Sequence, residues 1–238
     1  MRKITVCLYT FIIILFVVKI TTSIFNNVYT HNILDAKPQS TQSMEVKTYD
    51  IYIDLVDNTL SLFENGVLFR EYGIASGKFE TPSPAGIWKI INKSTWGEGF
   101  GGNWMGLNVP WGTYGIHGTK SPWSIGSDAS HGCIRMYSQS AEELYSFVPI
   151  GTTVIISKGP FSPMGQNPRV MIPGDRGSDI YHVQMNLKKL KFYKGNLDGI
   201  YGEGLKKALF KFQESLGCSP HNEITTWDLK MMGIFPFE

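Results

Sequence analysis

Between residues 50 and 75 the chain reads DIYIDLVDNTLSLFENGVLFREYGIA, with apolar side chains on alternate positions: Ile51, Ile53 and Leu55, then Leu60 and Leu62, then Val67 and Phe69. A period of two is that of a strand with one face turned inward. Asp57-Asn58 and Asn65-Gly66 separate the runs with the dipeptide chemistry of tight hairpin turns, so an antiparallel meander is expected. In TPSPAGIWKII the prolines stiffen and extend a loop before another short strand. Ser140 and Glu143 have the spacing of a capping box, which predicts a short helix from there to about Pro149. The β-branched run 153–156 then reads as a closing strand.

After this the period changes. Residues 159–178, GPFSPMGQNPRVMIPGDRGS, are dense in Pro and Gly without periodicity and mark a linker. Beyond it Val183, Leu187 and Leu190 recur at helical spacing, as do Leu205, Ala208, Leu209 and Phe212, with the turn GNLDGIYGEG between the two sets. The expected architecture is a mainly β domain over 48–158, of antiparallel sheets in a sandwich-like arrangement with a short helix and an active-site loop. A small all-α domain over 179–238 follows it.

The N-terminus, MRKITVCLYTFIIILFVVKITTS, joins a basic start to an apolar run from Ile4 to Val18. That run is shorter than the roughly 20 residues of a spanning helix. Residues 1–25 therefore read as a signal peptide or, if Lys19 snorkels and the run extends through Ile20, as a membrane anchor. Residues 26–47 are a polar spacer. Either form of the leader implies export, with the membrane as a contact through this segment. A formal charge of +2 gives no electrostatic case for nucleic acid. Three cysteines, Cys7, Cys133 and Cys218, lie in separate segments and do not suggest a disulfide framework.

The chemistry concentrates in SHGCIRM, residues 130–136. Cys133 has three readings. It could be buried filler, although its neighbours are polar and glycine rather than apolar. It could join His117 and His131 on zinc, with Asp128 the nearest fourth candidate, but the spacing is not that of the usual sites. It could be a nucleophile, whose thiol, ordinarily near ~8.5, needs a histidine or an electropositive site to ionise. His117, in GIHGT, stands far enough along the chain to fold back as its base. Gly132 permits a tight turn whose amides converge on an oxyanion. His131 either orients this loop by hydrogen bonding or is a satisfied, partly buried histidine. The Gly- and Trp-rich stretch 96–119, with Trp111 and Tyr114 as substrate-contact candidates, suits a groove or packing under a long loop.

GIHGTKSPWSIGSDASHGCIRM closely resembles the active-site signature of the L,D-transpeptidases, cysteine enzymes of peptidoglycan maturation, and GKFETPSPAGIW resembles an upstream segment of the same family. The resemblance implies Cys133 as nucleophile, His117 as base and the Gly118 carbonyl as the acceptor that orients the imidazole. It implies that Ser130, His131 and Gly132 shape the nucleophile loop and its oxyanion site. Arg135 would hold the site's geometry, engage a substrate carboxylate or form an internal salt bridge. The implied reaction forms peptidoglycan cross-links through a Cys thioester, releasing D-alanine from tetrapeptide stems, without metal or organic cofactor. L,D-carboxypeptidase action, another wall-attaching acyl transfer, or a non-catalytic peptidoglycan-binding role are the alternatives. The tail is similar to the three-helix peptidoglycan-binding domain through Gln184, Leu187, Leu190, Tyr193, Gly195, Asp198-Gly199, Gly202 and Phe212-Gln213, departing from it after Gly217. Peptidoglycan is the implied partner, and the cell wall or the outer face of the cytoplasmic membrane the implied location.

Overall fold

The computed structural model describes Lys19 and residues 47–95, 101–165 and 167–234. The meander forms where the alternation predicts it. β1 (Tyr49–Asp54) pairs antiparallel with β2 (Thr59–Glu64), and β2 with β3 (Val67–Gly77). Ile51, Ile53, Leu60 and Leu62 are buried, each contributing about 1.5–3 kcal/mol by leaving water. Asn65 and Gly66 both take positive φ, 51° and 78°, as a two-residue hairpin turn of matching twist requires. Val67 departs from the expected face and is 70% exposed. The β2–β3 register slips between Leu62 and Phe63, which turns the start of β3 away from the core.

The remaining strands are β4 (Gly86–Thr95), β5 (Asn103–Leu107), β6 (Tyr114–Thr119), β7 (Asp128–Ser130), β8 (Ile134–Tyr137) and β9 (Thr153–Ser157). They join in the order β2-β1-β9-β4-β5-β6-β8-β3-β7, and the extra β2–β3 pairing closes the sheet on itself. The antiparallel sandwich expected from the sequence is thus corrected to a closed, mixed sheet, with β1–β9, β6–β8 and β3–β7 parallel. Alternation reports which face of a strand is buried and carries no information on its neighbour's direction. Long connections between paired strands allow the parallel pairings.

Helix α1 (Ser138–Phe147) grows directly out of β8 and ends at Val148. It begins two residues before the expected Ser140, with Tyr137 as N-cap and no side-chain cap. Glu143 does not complete a capping box; it pairs instead with Arg70 of β3 at 3.1 Å. Ala141 and Leu144 pack into the barrel core with Ile116, Ile134 and Met136.

The tail holds α2 (Ser178–Lys189), α3 (Glu203–Ser215) and α4 (Thr226–Met231). Val183, Leu187, Leu205, Ala208, Leu209 and Phe212 form its core, whereas Leu190, at the end of α2, is exposed. Two glutamines are buried there and fully engaged. Gln184 accepts from the Gly199 N–H at 2.8 Å and donates to Asp198 at 2.7 Å, and Gln213 donates to Asp228 at 2.9 Å. Thr225 and Asp228 form a reciprocal capping box at α4.

The 159–178 segment is not a bare tether. Met164 and Met171 are buried in the helical core, and Met171 bridges to Ile224. Tyr181 on α2 stands against Trp88 and Trp111 of the β domain, at ring-centroid distances of 5.5 and 5.7 Å. Residues from Lys47 onward form one compact unit. The leader expected over 1–25 and the spacer over 26–47 lie outside the described residues, apart from Lys19 and Lys47. Among the described residues no helix is long and apolar enough to cross a membrane.

Candidate active site

The register of four adjacent strands builds the site. Trp104 on β5 is paired with His117 on β6, His117 with Arg135 on β8, and Arg135 with Ala75 on β3. The residues next to them, Met105, Ile116, Ile134 and Met136, are fully buried in the core. Period two therefore anchors the strands by one face and presents His117 and Arg135 side by side on the other.

His117 is 8% exposed, and its Nδ1 lies 2.6 Å from the Gly118 carbonyl oxygen. A carbonyl oxygen only accepts, so Nδ1 carries the proton and Nε2 becomes the basic nitrogen. The Trp104 ring, 5.8 Å away between centroids, flanks the imidazole, and its own N–H donates to Asn92 at 3.0 Å. Gly118 tolerates no side chain, since a Cβ there would run into the Gly101 carbonyl.

The turn that carries Cys133 is held by Ser130, which is 1% exposed. Its hydroxyl donates to the Cys133 carbonyl at 2.6 Å and accepts from the Gly132 N–H at 2.9 Å. Its own carbonyl accepts from the Lys78 N–H at 3.1 Å and the Thr81 hydroxyl at 3.3 Å. The upstream TPSPAG segment thereby braces the turn. Gly132 has φ 111°, and a Cβ there would meet the Tyr114 ring at 2.7 Å. Only glycine fits. Because its N–H is committed to Ser130, Gly132 shapes the turn rather than offering an oxyanion donor.

Burial pushes the Cys133 thiol above its ordinary pKa, while the Gly115 backbone N–H and the Arg135 guanidinium pull it back in part. The sequence led to the opposite expectation, a thiol lowered by its neighbours. Desolvation of the charged form outweighs both favourable contacts here. Arg135 is half-buried, reaches the Ala129 carbonyl only at 3.5 Å and makes no ion pair among the described residues. Asp128, the fourth metal candidate, accepts from the Ser76 hydroxyl at 2.5 Å.

Two other expectations change. His131 is exposed, and its ring makes none of the hydrogen bonds that hold the turn among the described residues. Trp111 is 7% exposed and enclosed by Trp88 at 5.3 Å, Tyr181 at 5.7 Å and Tyr114 at 6.4 Å, so it is a packing residue rather than a groove wall. The helical domain covers it, which the local sequence does not reveal. Tyr114 does line a cavity of about 510 Å³, together with Asn92, Ser94, Trp104 and Thr113. Burial raises the Tyr114 hydroxyl pKa; a hydrogen bond from Trp111 opposes the shift, the Cys133 sulfur adds to it and Arg176 opposes it.

Sequence reasoning missed Trp104, Asn92 and Gly115. Their roles come from cross-strand register and from one backbone N–H, neither of which has a signature along the chain.

Residues 48–156 match the L,D-transpeptidase catalytic domain family, and residues 176–220 match the family described as "Putative peptidoglycan binding domain". The chain is similar to the "Putative L,D-transpeptidase YkuD" of Bacillus licheniformis, 44% identical over 110 residues, and to the protein of that name from Bacillus subtilis, 42% identical over 111. Each match spans 66% of the relative, just under two thirds, and 46% of this chain. Among solved structures, an Enterococcus faecium L,D-transpeptidase is 28% identical over 46% of this chain and 50% of its own, with a TM-score of 0.41. Residues 48–156 are thus similar to L,D-transpeptidase catalytic domains, and residues 176–220 to the "Putative peptidoglycan binding domain" family.

Proposed function

We propose that this protein is an L,D-transpeptidase that cross-links peptidoglycan outside the cytoplasm, with Cys133 as nucleophile and His117 as base. The observation that carries this reading is the 2.6 Å contact of His117 Nδ1 with the Gly118 carbonyl, which leaves Nε2 to take the thiol proton. The raised thiol pKa favours a protonated Cys133 at rest, so the proton moves as the sulfur attacks.

The sulfur adds to the carbonyl carbon of the third residue of a tetrapeptide stem, and the thiol proton passes to His117 Nε2. Amides of the 131–133 turn other than that of Gly132 receive the oxyanion. As the intermediate collapses, the C–N bond to D-alanine breaks and the imidazolium proton goes to the leaving amine, which leaves a thioester. A side-chain amine of a neighbouring stem then attacks, His117 takes its proton, and the C–S bond breaks to regenerate the thiol. Arg135, beside His117 in register, supports the developing negative charge or a substrate carboxylate. No step requires a metal or organic cofactor. Water as acceptor would give carboxypeptidase action by the same first half-reaction. The helical domain holds the enzyme on the polymer and raises the local concentration of stems.

The test is mass spectrometry of the purified full chain with disaccharide-tetrapeptide. Loss of D-alanine with dimer formation supports cross-linking, and loss with monomeric tripeptide supports hydrolysis. No change, with Cys133→Ala indistinguishable from wild type, would leave a binding protein only.

A further inference from the structure

Trp111 lies in the connection between β5 and β6, so side-chain packing rather than a strand ladder fixes its indole. Part of that packing comes from the β domain. Trp88, whose own N–H donates to the Pro84 carbonyl at 2.7 Å, meets the indole edge-on at 5.3 Å, and Tyr114 stands at 6.4 Å. The rest comes from the helical domain. Tyr181 is tilted by 49° against the indole with centroids 5.7 Å apart, a favourable aromatic geometry, and the backbone of Gly199 lies so close that a Cβ there would run into the ring. These two contacts belong to one edge. The Tyr181 N–H donates to the Gly177 carbonyl at 3.0 Å, and the Gly177 N–H to the Gly199 carbonyl at 2.9 Å.

Tyr114 carries this packing to the thiol. It opens β6, the strand of His117, and its ring is held between two glycines. A Cβ at Gly112 would meet one edge of the ring at 2.9 Å, and a Cβ at Gly132 the other at 2.7 Å. Gly132 is the residue before Cys133, and its N–H is fixed by Ser130 at 2.9 Å. Close-packed interiors hold few voids, so a shift of one ring is passed to the next. An indole that loses its Tyr181 wall is free to move off Tyr114, and Tyr114 off Gly132. We propose that Tyr181 is a positioning residue for the reaction: through Trp111 it keeps the Tyr114 ring against Gly132 and so keeps Cys133 aligned for attack. The helical domain then serves catalysis by packing, apart from any hold on the polymer. This rests on the transpeptidase reading for the identity of the reaction, whereas the order of the thiol turn does not depend on it.

The test uses the full chain, as wild type, Tyr181→Ala and Tyr181→Phe, with soluble disaccharide-tetrapeptide, on which tethering to polymer confers no advantage. Tyr181→Ala is expected to lower kcat for D-alanine release by about 10- to 10²-fold with KM held, the size of a misplacement of about 1 Å. Tyr181→Phe keeps the ring and should restore the rate. The second readout is the pH inflection of Cys133 alkylation by iodoacetamide. Burial holds that thiol above its ordinary range, so a turn loosened in Tyr181→Ala admits water and moves the inflection down. Both are measured well below the melting temperature of each variant. Should Tyr181→Ala not fold, Tyr181→Leu, which keeps apolar bulk without the flat ring, takes its place with the same expectations. A lower melting temperature with kcat and inflection unchanged would make Tyr181 a structural residue only and overturn the proposal. So would a Phe variant as slow as the Ala one, or, with an active wild type, a change in one readout without the other. If wild type releases no D-alanine and the inflection still moves, the transpeptidase reading fails and the positioning of Cys133 stands. If it releases none and the inflection is unmoved, both fall.

Discussion

His117 Nδ1 and the carbonyl oxygen of Gly118 stand 2.6 Å apart, so the next residue in the chain fixes the tautomer of the imidazole. A neutral carbonyl orients the ring without adding the negative charge that would raise its basicity. The Cys133 thiol is held above its ordinary value by burial.

Replacing the proposed base tests the mechanism directly. His117→Ala is expected to slow D-alanine release by about 10²–10⁴-fold, the range for loss of a positioned acid–base group. Circular dichroism should show the fold retained. A rate within twofold of wild type would remove His117 from the mechanism.

The raised thiol has a pH signature with a definite sign. Above the ordinary thiol range the native state holds its proton while the unfolded chain has lost it, so stability falls as pH rises. The contribution is complete below about pH 8.5 and is lost through the native pKa above it. Melting temperatures from pH 7 to 10 should decline more steeply for wild type than for Cys133→Ala. Iodoacetamide should alkylate Cys133 with an inflection above that of a free thiol, and an inflection below it would contradict the burial argument.

Gly132→Ala should fail on two counts. The position has φ 111°, and a Cβ would press on the Tyr114 ring at 2.7 Å. Strain of about 1–3 kcal/mol is expected, together with loss of thiol alignment. Thermal unfolding and D-alanine release measured on one preparation should both fall, with release falling further.

Trp111→Ala removes a side chain enclosed by Trp88, Tyr181 and Tyr114 and should cost about 3–5 kcal/mol. Because the lost contacts include those with the helical domain, limited proteolysis should cut within 159–177 faster than in wild type. Unchanged cleavage would mean that the docking does not depend on this cluster.

Much of this protein was legible along the chain. Alternation placed Ile51, Ile53, Leu60 and Leu62 in the core, Asn65-Gly66 announced its turn, and the helical period named Val183, Leu187, Leu209 and Phe212. These are consequences of local periodicity and of φ preferences, which a sequence states outright. The L,D-transpeptidase resemblance was legible too: GIHGT and SHGCIRM lie within the residues, 48–156, that match that family.

The closed sheet, the parallel β6–β8 pairing that sets His117 beside Arg135, and the burial that raises the Cys133 thiol were decided by tertiary structure. So was the fate of Trp111, which reads locally as a groove residue and is buried under a domain that begins some seventy residues later in the chain. Strand direction, desolvation and domain docking depend on what comes to lie alongside a segment. Nothing in a segment's own pattern encodes that.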